Sequence, residues 1–298
     1  MGNANMISRR RLLRNAAAIT VAGAVESDAL PASQVSASSS GKSNGRPRTL
    51  ALVGDYAHNC DAIRVSLDRL FKELDLPIDY TTNYYDLSKS LLEPYQLFLC
   101  FRDNYIFPNG RNLPANSSQG AFAAAEYWIT EEQGQAVKDF VTAGKGFYSL
   151  HSNVFLSRSS KNYRDVQGGV GLNHPPLRPF KVRIVNKEHP VTKGVEDFMV
   201  TDEQHYTIYD KDPKNILLHS ENLDGLTFEA VLRDPKEGGP EASGPPQNLG
   251  TISISGWAHE FGKGRVVFTA MGHTIHAMWQ PEYLKMQKNA VRWLLKMT

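Results

Sequence analysis

Residues 144–153 predict a helix end, a short buried strand and a polar loop that begins at a histidine. Glycines bracket the helix end, and the aromatic and apolar residues that follow favour a strand. The preceding residues 128–143 have the length of a helix, and Thr130 and Gln133 have the spacing of a capping box. His151 is therefore expected at the carboxyl end of a strand, where α/β sheets carry their functional side chains.

The same alternation of strand and helix recurs along the chain and predicts an α/β fold. We expect a doubly wound, mostly parallel sheet of the flavodoxin-like type, with right-handed crossovers. Further strands are predicted at residues 49–55, 77–82, 95–101, 179–186, 198–206, 215–220, 251–257 and 264–273. Amphipathic helices are predicted at residues 60–74 and 281–297.

The first 37 residues are interpreted as a targeting segment. Arg9 and Arg10 lie in a cluster that resembles a twin-arginine (Tat) export motif, and a short, weakly apolar run follows it. This resemblance implies the Tat export machinery as a partner and a periplasmic or secreted location. We divide the chain into a signal at residues 1–37, a serine-rich flexible linker at 38–48 and one domain at 49–298.

Composition excludes several classes of function. The net charge is +2, and cleavage after Ala24 would remove four arginines and lower it to −2, so nucleic acid is not expected as a partner. The apolar run at residues 16–25 is too short to span a bilayer. Cys60 and Cys100 are too few for a disulfide framework, although an exported chain leaves a bond between them open.

Six motifs together carry a family resemblance. They are residues 55–59, 144–152, 189–194, 202–206, 257–266, and Gly272-His273 with the closing helix that contains residues 290–293. In this order they resemble the ThuA-like (trehalose-utilisation) family over residues 49–298. The resemblance implies a class I glutamine-amidotransferase-like fold and a link to trehalose and related sugars.

The chain departs from true glutamine amidotransferases at the turn after residue 150. Those enzymes carry a cysteine nucleophile there, whereas this turn contains His151 and Ser152 without the G-x-S-x-G elbow. Glutaminase chemistry by a thiolate is therefore not expected. No P-loop is present, and no G-x-G-x-x-G follows a strand, so no nucleotide cofactor is expected.

Three histidines and one glutamate are the candidate catalytic residues. His58, His151 and His273 each follow a predicted strand, and Glu203 follows an extended segment, so the four are expected to converge at one sheet edge. They suit a divalent ion such as zinc or manganese, and equally suit metal-free acid–base chemistry. Alternatively, the histidines are structural: His58 caps the first helix with Asn59, and backbone groups at the sheet edge hold His151 or His273.

Polar and aromatic residues near the same edge favour a sugar ligand, because rings stack on the apolar face of a sugar while its hydroxyls need polar partners. The tryptophans among them are equally compatible with a place in the core. The histidines at 174, 189, 219 and 259 are interpreted as structural, and those at 205 and 276 stay undecided. The candidate sugar-binding residues are Asp55, Tyr56, Asn153, Asp202, Tyr206, Trp257 and Trp279.

We expect an exported enzyme that isomerises an oxidised (3-keto) sugar or cleaves its glycosidic bond. Two alternatives remain open: a non-catalytic periplasmic sugar-binding protein and a metal-dependent hydrolase of another small substrate. A homodimer is also compatible with the sequence. The long polar segment at residues 102–125 is expected to cover the site as a lid, and the Gly/Pro-rich segment at 234–248 to cover the same edge or extend from it.

Overall fold

The computed structural model describes residues 45–107, 125–227 and 250–297. The predicted export signal, most of the linker, the interior of the segment predicted to be a lid and the whole of residues 234–248 lie outside these ranges. In the described part of the chain, no helix has the length and apolar character needed to cross a membrane.

The described residues form thirteen strands in one large sheet and two small ones. They are β1 (Thr49–Val53), β2 (Ile78–Thr81), β3 (Leu97–Phe101), β4 (Tyr105–Ile106), β5 (Glu126–Tyr127), β6 (Gly146–Leu150), β7 (Gly169–Asn173), β8 (Arg178–Ile184), β9 (Phe198–Asp202), β10 (Tyr206–Tyr209), β11 (Ile216–Glu221), β12 (Ile252–Phe261) and β13 (Gly264–Thr269).

The large sheet is mixed, with the order β2-β1-β3-β6-β13-β12-β11-β8-β9. The first five strands in this order are mutually parallel, and the other four continue the sheet in antiparallel pairs. Taken alone, the five parallel strands have the flavodoxin-like order 2-1-3-4-5. The predicted α/β fold is confirmed.

Helices cover both faces of the parallel strands. Strand β3 shows why: Leu97, Leu99 and Phe101 pack into one hydrophobic core, and Phe98 and Cys100 pack into another on the opposite face. The helices are α1 (Cys60–Glu73), α2 (Lys89–Leu92), α3 (Glu131–Thr142), α4 (Lys161–Gln167), α5 (Ile275–Met278) and α6 (Pro281–Leu294). The first core receives the apolar sides of α1 and α6, and the second receives those of α3 and α4.

Helix ends follow the signals in the sequence. Thr130 caps α3 in a complete capping box with Gln133, as predicted. Asn59 caps α1 by accepting a hydrogen bond from the backbone N–H of Ala62 at 2.9 Å. This cap fixes the start of α1 directly after His58, so the histidine stays in the loop between β1 and the helix.

Two predictions need correction. The predicted polar loop after β6 is a buried 3₁₀ helix, His151–Arg158, because its apolar residues pack beneath the small sheet formed by β7 and β10. The extended segment predicted at 198–206 is two strands, β9 and β10, which belong to different sheets. The bend between them carries Glu203.

The two cysteines are separate from each other and free of disulfides. Cys100 is fully buried in β3, and Cys60 is half-buried at the start of α1. Burial raises the pKa of the Cys100 thiol to about 12, so this side chain is a small apolar core residue.

Candidate metal centre

The fold brings the four candidate catalytic residues together at the carboxyl ends of the strands. His58 follows β1, His151 follows β6, His273 lies after β13, and Glu203 follows β9. The ring centroid of His58 lies 4.9 Å from that of His151 and 5.0 Å from that of His273. One donor atom from each of the four residues lies within 4.8 Å of the others, which is the spacing of a metal-ligand group.

The backbone at His151 is held in an unusual conformation. Its φ is +52°, in the left-handed region that non-glycine residues rarely adopt and that is common at functional sites. The side chain is fully buried, and its Nδ1 donates to the carbonyl oxygen of Ala270 at 2.6 Å. The opposite ring nitrogen, Nε2, carries the lone pair of the neutral form of the ring and lies 3.4 Å from Glu203 Oε2.

His273 reaches the cluster because a glycine precedes it. A Cβ atom on Gly272 would lie 2.9 Å from the ring of Phe101 and 3.0 Å from the Cβ of His151. Distances this short are not tolerated, so only glycine lets the loop after β13 approach the turn that carries His151.

Asp55 orients His58 from behind. Its carboxylate accepts from His58 Nδ1 at 2.8 and 2.9 Å and from the backbone N–H groups of Ala57, His58 and Asp103. Burial alone would raise the pKa of Asp55, but these hydrogen bonds outweigh it and the pKa lies below its ordinary value. The carboxylate is occupied with this task, so Asp55 orients a histidine and is not free to bind a sugar hydroxyl.

Asp202 fixes the other side of the cluster. Its buried carboxylate accepts from the backbone N–H groups of Gly272, His273 and Glu203 at 2.7, 3.1 and 2.9 Å. Burial raises its pKa. This corrects the expectation that Asp202 binds sugar: it is fully buried and ties the Glu203 bend to the His273 loop.

Glu203 lies at the centre of a ring of imidazoles. Its Oε2 is 3.1 Å from His273 Nδ1, 3.4 Å from His151 Nε2, 3.5 Å from His174 Nδ1 and 3.7 Å from His205 Nε2. Burial alone would raise the pKa of Glu203, but the surrounding histidines lower it far below its ordinary value. Glu203 is therefore a carboxylate.

His174 and His205 belong to the site, although the sequence favoured a structural role for one and left the other undecided. His205 is fully buried, and its ring stacks on His151 with centroids 4.3 Å apart. His174 lies 4.9 Å from His205, centroid to centroid. Residues two apart on an extended segment lie on the same side of it, so the spacing of Glu203 and His205 is the one feature of the sequence that indicates a place for His205 beside Glu203.

The contacts around Glu203 are those of ligands to a cation. The nitrogens His58 Nε2, His151 Nε2 and His273 Nδ1 are buried and have no hydrogen-bond partner among the described residues. Because His151 donates through Nδ1, its Nε2 can face the Glu203 carboxylate only with a second proton on the ring or with a cation between the two atoms. Imidazole nitrogens with one carboxylate form the donor set of zinc and manganese sites, and an Asp–His pair behind a ligand is typical of them.

Two neighbouring cavities open beside the cluster. One, of about 230 Å³, is lined by His58, His174, Glu203 and Asp103, among others. The second, of about 470 Å³, is lined by tyrosines and by the buried Arg102, whose guanidinium carbon lies 4.1 Å from the ring centroid of Tyr84. The residues common to both linings are Asp55, Tyr56, Tyr105 and Phe107.

Asp103 was not singled out from the sequence. Burial and the nearby charge of Asp55 raise the pKa of its carboxyl to about 7. A carboxyl group with a pKa near neutrality at the wall of a cavity is suited to proton transfer. The sequence gives little indication of a role for Asp103, because this residue lies two positions after β3, at the start of a segment that the sequence predicts as a loop.

Of the predicted sugar-binding aromatics, only Tyr56 lies at the cavities. Its side chain is half-exposed and packs edge-to-face on Phe107, with centroids 5.0 Å apart. Tyr85, which the sequence did not indicate, lines the larger cavity and is 68% exposed. Trp279 lies outside both linings and packs beneath the guanidinium of Arg69 at 5.0 Å.

Trp257, Tyr206 and Asn153 are core residues, which corrects the expectation that they bind sugar. Trp257 is fully buried and donates through Nε1 to the carbonyl of Gln167 at 2.8 Å. Tyr206 is fully buried in β10, and Asn153 is fully buried in the 3₁₀ helix, where it accepts hydrogen bonds from a serine and a tyrosine. None of the three presents a surface to either cavity.

The fold and site define a flavodoxin-like α/β protein with a histidine-rich, carboxylate-centred candidate metal site. The family model for ThuA, described as trehalose utilisation, matches residues 61–294. The chain belongs to the ThuA family, as the motifs in its sequence indicated.

Solved structures share this fold. A putative ThuA-like protein from Bacteroides uniformis is 19% identical, with a TM-score of 0.57 over 84% of this chain and 92% of its own. Another from Parabacteroides merdae is 14% identical, with a TM-score of 0.54 over 85% and 91%. A glutamine amidotransferase from Thermotoga maritima is 12% identical, with a TM-score of 0.45 over 84% and 99%. Comparison with curated proteins gave no match.

Proposed function

We propose that this chain is a divalent-metal-dependent enzyme that acts on an oxidised (3-keto) sugar or glycoside, either isomerising it or cleaving its glycosidic bond. The observation that carries the proposal is the set of unpaired, buried imidazole nitrogens around the Glu203 carboxylate beside an open cavity. Membership of a trehalose-utilisation family supports sugar as the substrate class.

Each residue of the cluster has a defined task in this proposal. His58, His151, His273 and Glu203 hold the ion, while Asp55 keeps the His58 Nε2 lone pair directed at it. The ion, when bound, polarises a carbonyl oxygen of the substrate. A ketone acidifies the C–H bonds next to it, so a base at the cavity wall is the remaining requirement.

Asp103 meets that requirement. In its ionised form, the carboxylate accepts the proton from the carbon next to the ketone. Return of that proton to the former carbonyl carbon, while the hydroxyl proton on the adjacent carbon passes to the former ketone oxygen, completes an isomerisation. In a cleavage, the electron pair of the broken C–H bond forms a double bond to the next carbon, and the glycosidic oxygen leaves that carbon with the C–O electron pair and takes the proton from Asp103. A pKa of about 7 lets Asp103 both accept and return the proton near neutral pH.

Tyrosines supply the sugar-binding surface. Tyr56 and Tyr85 present exposed rings, and the larger cavity lies in the size range of small-ligand sites, roughly 300–1,000 Å³. Export by the Tat route is part of the proposal, since the first 37 residues resemble a twin-arginine signal. Loss of periplasmic protein when Arg9 and Arg10 become lysine would support export, and unchanged fractionation would refute it.

The reaction is tested by turnover of a 3-keto-glycoside. We expect His151→Ala and His273→Ala to abolish product formation while the circular dichroism spectrum is retained. His276→Ala is the matched control, because that side chain is exposed on α5 three residues from His273. Unchanged turnover in the two site variants would remove both histidines from the mechanism.

A non-catalytic sugar-binding protein is the second candidate, favoured by the tyrosine-lined cavity that extends beyond the histidine cluster. It predicts saturable binding of intact sugars and no product over long incubation. Metal-dependent turnover of a different small ester or amide, with none of a keto-glycoside, would instead identify a hydrolase built on the same cluster.

A further inference from the structure

The donor atoms around Glu203 divide into two groups, and the proposed function uses only one of them. The first group is His58, His151, Glu203 and His273. The second is formed by Glu203 with His174 and His205, and again the donor atoms lie within 4.8 Å of one another. His174 Nδ1 donates to the carbonyl oxygen of Pro175 at 3.1 Å, so Nε2 is the nitrogen of this ring that can bind an ion. Glu203 is the single residue that the groups share.

The stacking of His151 and His205 shows why one ion does not serve both groups. Their rings are nearly parallel, with an interplanar angle of 25° and centroids 4.3 Å apart. Both Nε2 atoms approach the same oxygen, Glu203 Oε2, at 3.4 and 3.7 Å. In-plane lone pairs on two parallel rings do not converge on a point about 2.1 Å from each nitrogen, the usual bond length to zinc. They suit two ions side by side, with the carboxylate between them.

His205 is an independent indication of a ligand. The ring is fully buried, and neither of its nitrogens has a hydrogen-bond partner among the described residues. Buried polar side chains are normally paired, and a metal ion is a common partner of a buried imidazole.

We propose that the site binds two divalent metal ions bridged by Glu203, the second ion being held by His174 and His205. This inference rests on the proposed function, since it adds a second ion to the first. His174 lines the smaller cavity, so the second ion would lie on the substrate side. Two adjacent ions match a ligand with two neighbouring oxygens, such as a ketone beside a hydroxyl.

The test is a Co²⁺ titration of the untagged, chelator-stripped full chain, followed by visible absorbance and by elemental analysis after gel filtration. We expect binding of about two equivalents, the stoichiometry of a two-metal site. His205→Ala and His174→Ala should each bind about one, and Glu203→Gln should lose both high-affinity sites. His276→Ala is the control and should match the wild type. The His174 variant guards against misfolding, because that side chain is only partly buried.

The outcomes separate this inference from the proposed function. One equivalent in the wild type, lost in His273→Ala, overturns the second ion and leaves the first in place. No bound cobalt overturns both. Two equivalents that persist in both the His174 and His205 variants place the second ion elsewhere and overturn this assignment. Exchange coupling in the cobalt electron paramagnetic resonance spectrum, present in the wild type and absent in His205→Ala, is the expected sign of a shared carboxylate.

Discussion

Asp55→Asn should weaken metal binding without removing any metal ligand. The amide oxygen can replace Oδ1 and still accept from the backbone N–H groups of Ala57 and His58. The amide NH₂ then replaces Oδ2, which accepts from His58 Nδ1 at 2.9 Å and from the backbone N–H of Asp103 at 2.8 Å. The amide oxygen at the Oδ1 position still accepts from His58 Nδ1 at 2.8 Å, but the amide is neutral and its NH₂ group places a donor against Nδ1, so the support behind His58 is weakened.

The magnitude follows from the loss of a charged acceptor behind His58. Nε2, which has no hydrogen-bond partner among the described residues, is a weaker metal ligand when Nδ1 donates to a neutral amide instead of a carboxylate. Loss of an outer-shell partner of this kind typically costs 10- to 100-fold in metal affinity, about 1.4–2.8 kcal/mol. Weakened hydrogen bonds to a formerly charged acceptor should also lower the free energy of unfolding by about 1–3 kcal/mol. A domain of ordinary stability, about 5–15 kcal/mol, remains folded.

Competition between the protein and a chromophoric zinc chelator measures this affinity, and urea denaturation of the apoprotein measures the stability. Asp61→Asn is the matched control, because it removes the same charge from an exposed position in the first turn of α1. Zinc affinity in Asp55→Asn within threefold of the wild type, with the fold intact, would refute the idea that the Asp55 carboxylate strengthens His58 as a ligand.

Three further outcomes are expected. Gly272→Ala should weaken zinc binding and lower the free energy of unfolding by about 1–3 kcal/mol, because the new Cβ atom would lie 3.0 Å from the Cβ atom of His151. Wild-type zinc affinity of this variant in the chelator competition would contradict the prediction. The pKa of Asp103 is raised from 3.8 to about 7 in the fold, so its contribution to stability is present below pH 4 and is lost as pH rises through 7. Between pH 5 and pH 8, the urea midpoint of the apoprotein should therefore fall further for the wild type than for Asp103→Asn. An equal fall in the two proteins would contradict the raised pKa. Tyr56→Ala should weaken sugar binding by calorimetry about three- to tenfold while metal content stays unchanged, and undiminished binding would exclude this ring from the sugar site.

The parts of the site that the sequence predicts are those fixed by periodicity. Each of the three histidines His58, His151 and His273 follows a strand of the buried parallel type. The carboxyl ends of such strands lie at the same edge of the sheet. Nothing beyond the strand pattern was needed to place them together. The helix caps at Asn59 and Thr130 depend on local spacing and were predictable for the same reason.

The parts that the sequence does not predict depend on packing between distant segments. His174 and His205 follow strands of different sheets, and their meeting at Glu203 depends on the pairing of β7 with β10. Trp257 lies on β12, where nearly every residue is buried on both faces, so alternation gave no indication of which side it occupies. Its ring packs on Phe268 in the core, with centroids 4.3 Å apart.

The metal centre can be tested by anomalous diffraction from a crystal of the untagged chain, with data collected on both sides of the zinc absorption edge. We expect a zinc peak within bonding distance of Glu203 and of the ring nitrogens of His58, His151 and His273 that face it, and no such peak in Glu203→Gln. Zinc-soaked wild-type crystals with an ordered cluster and no peak at Glu203 would contradict the metal centre.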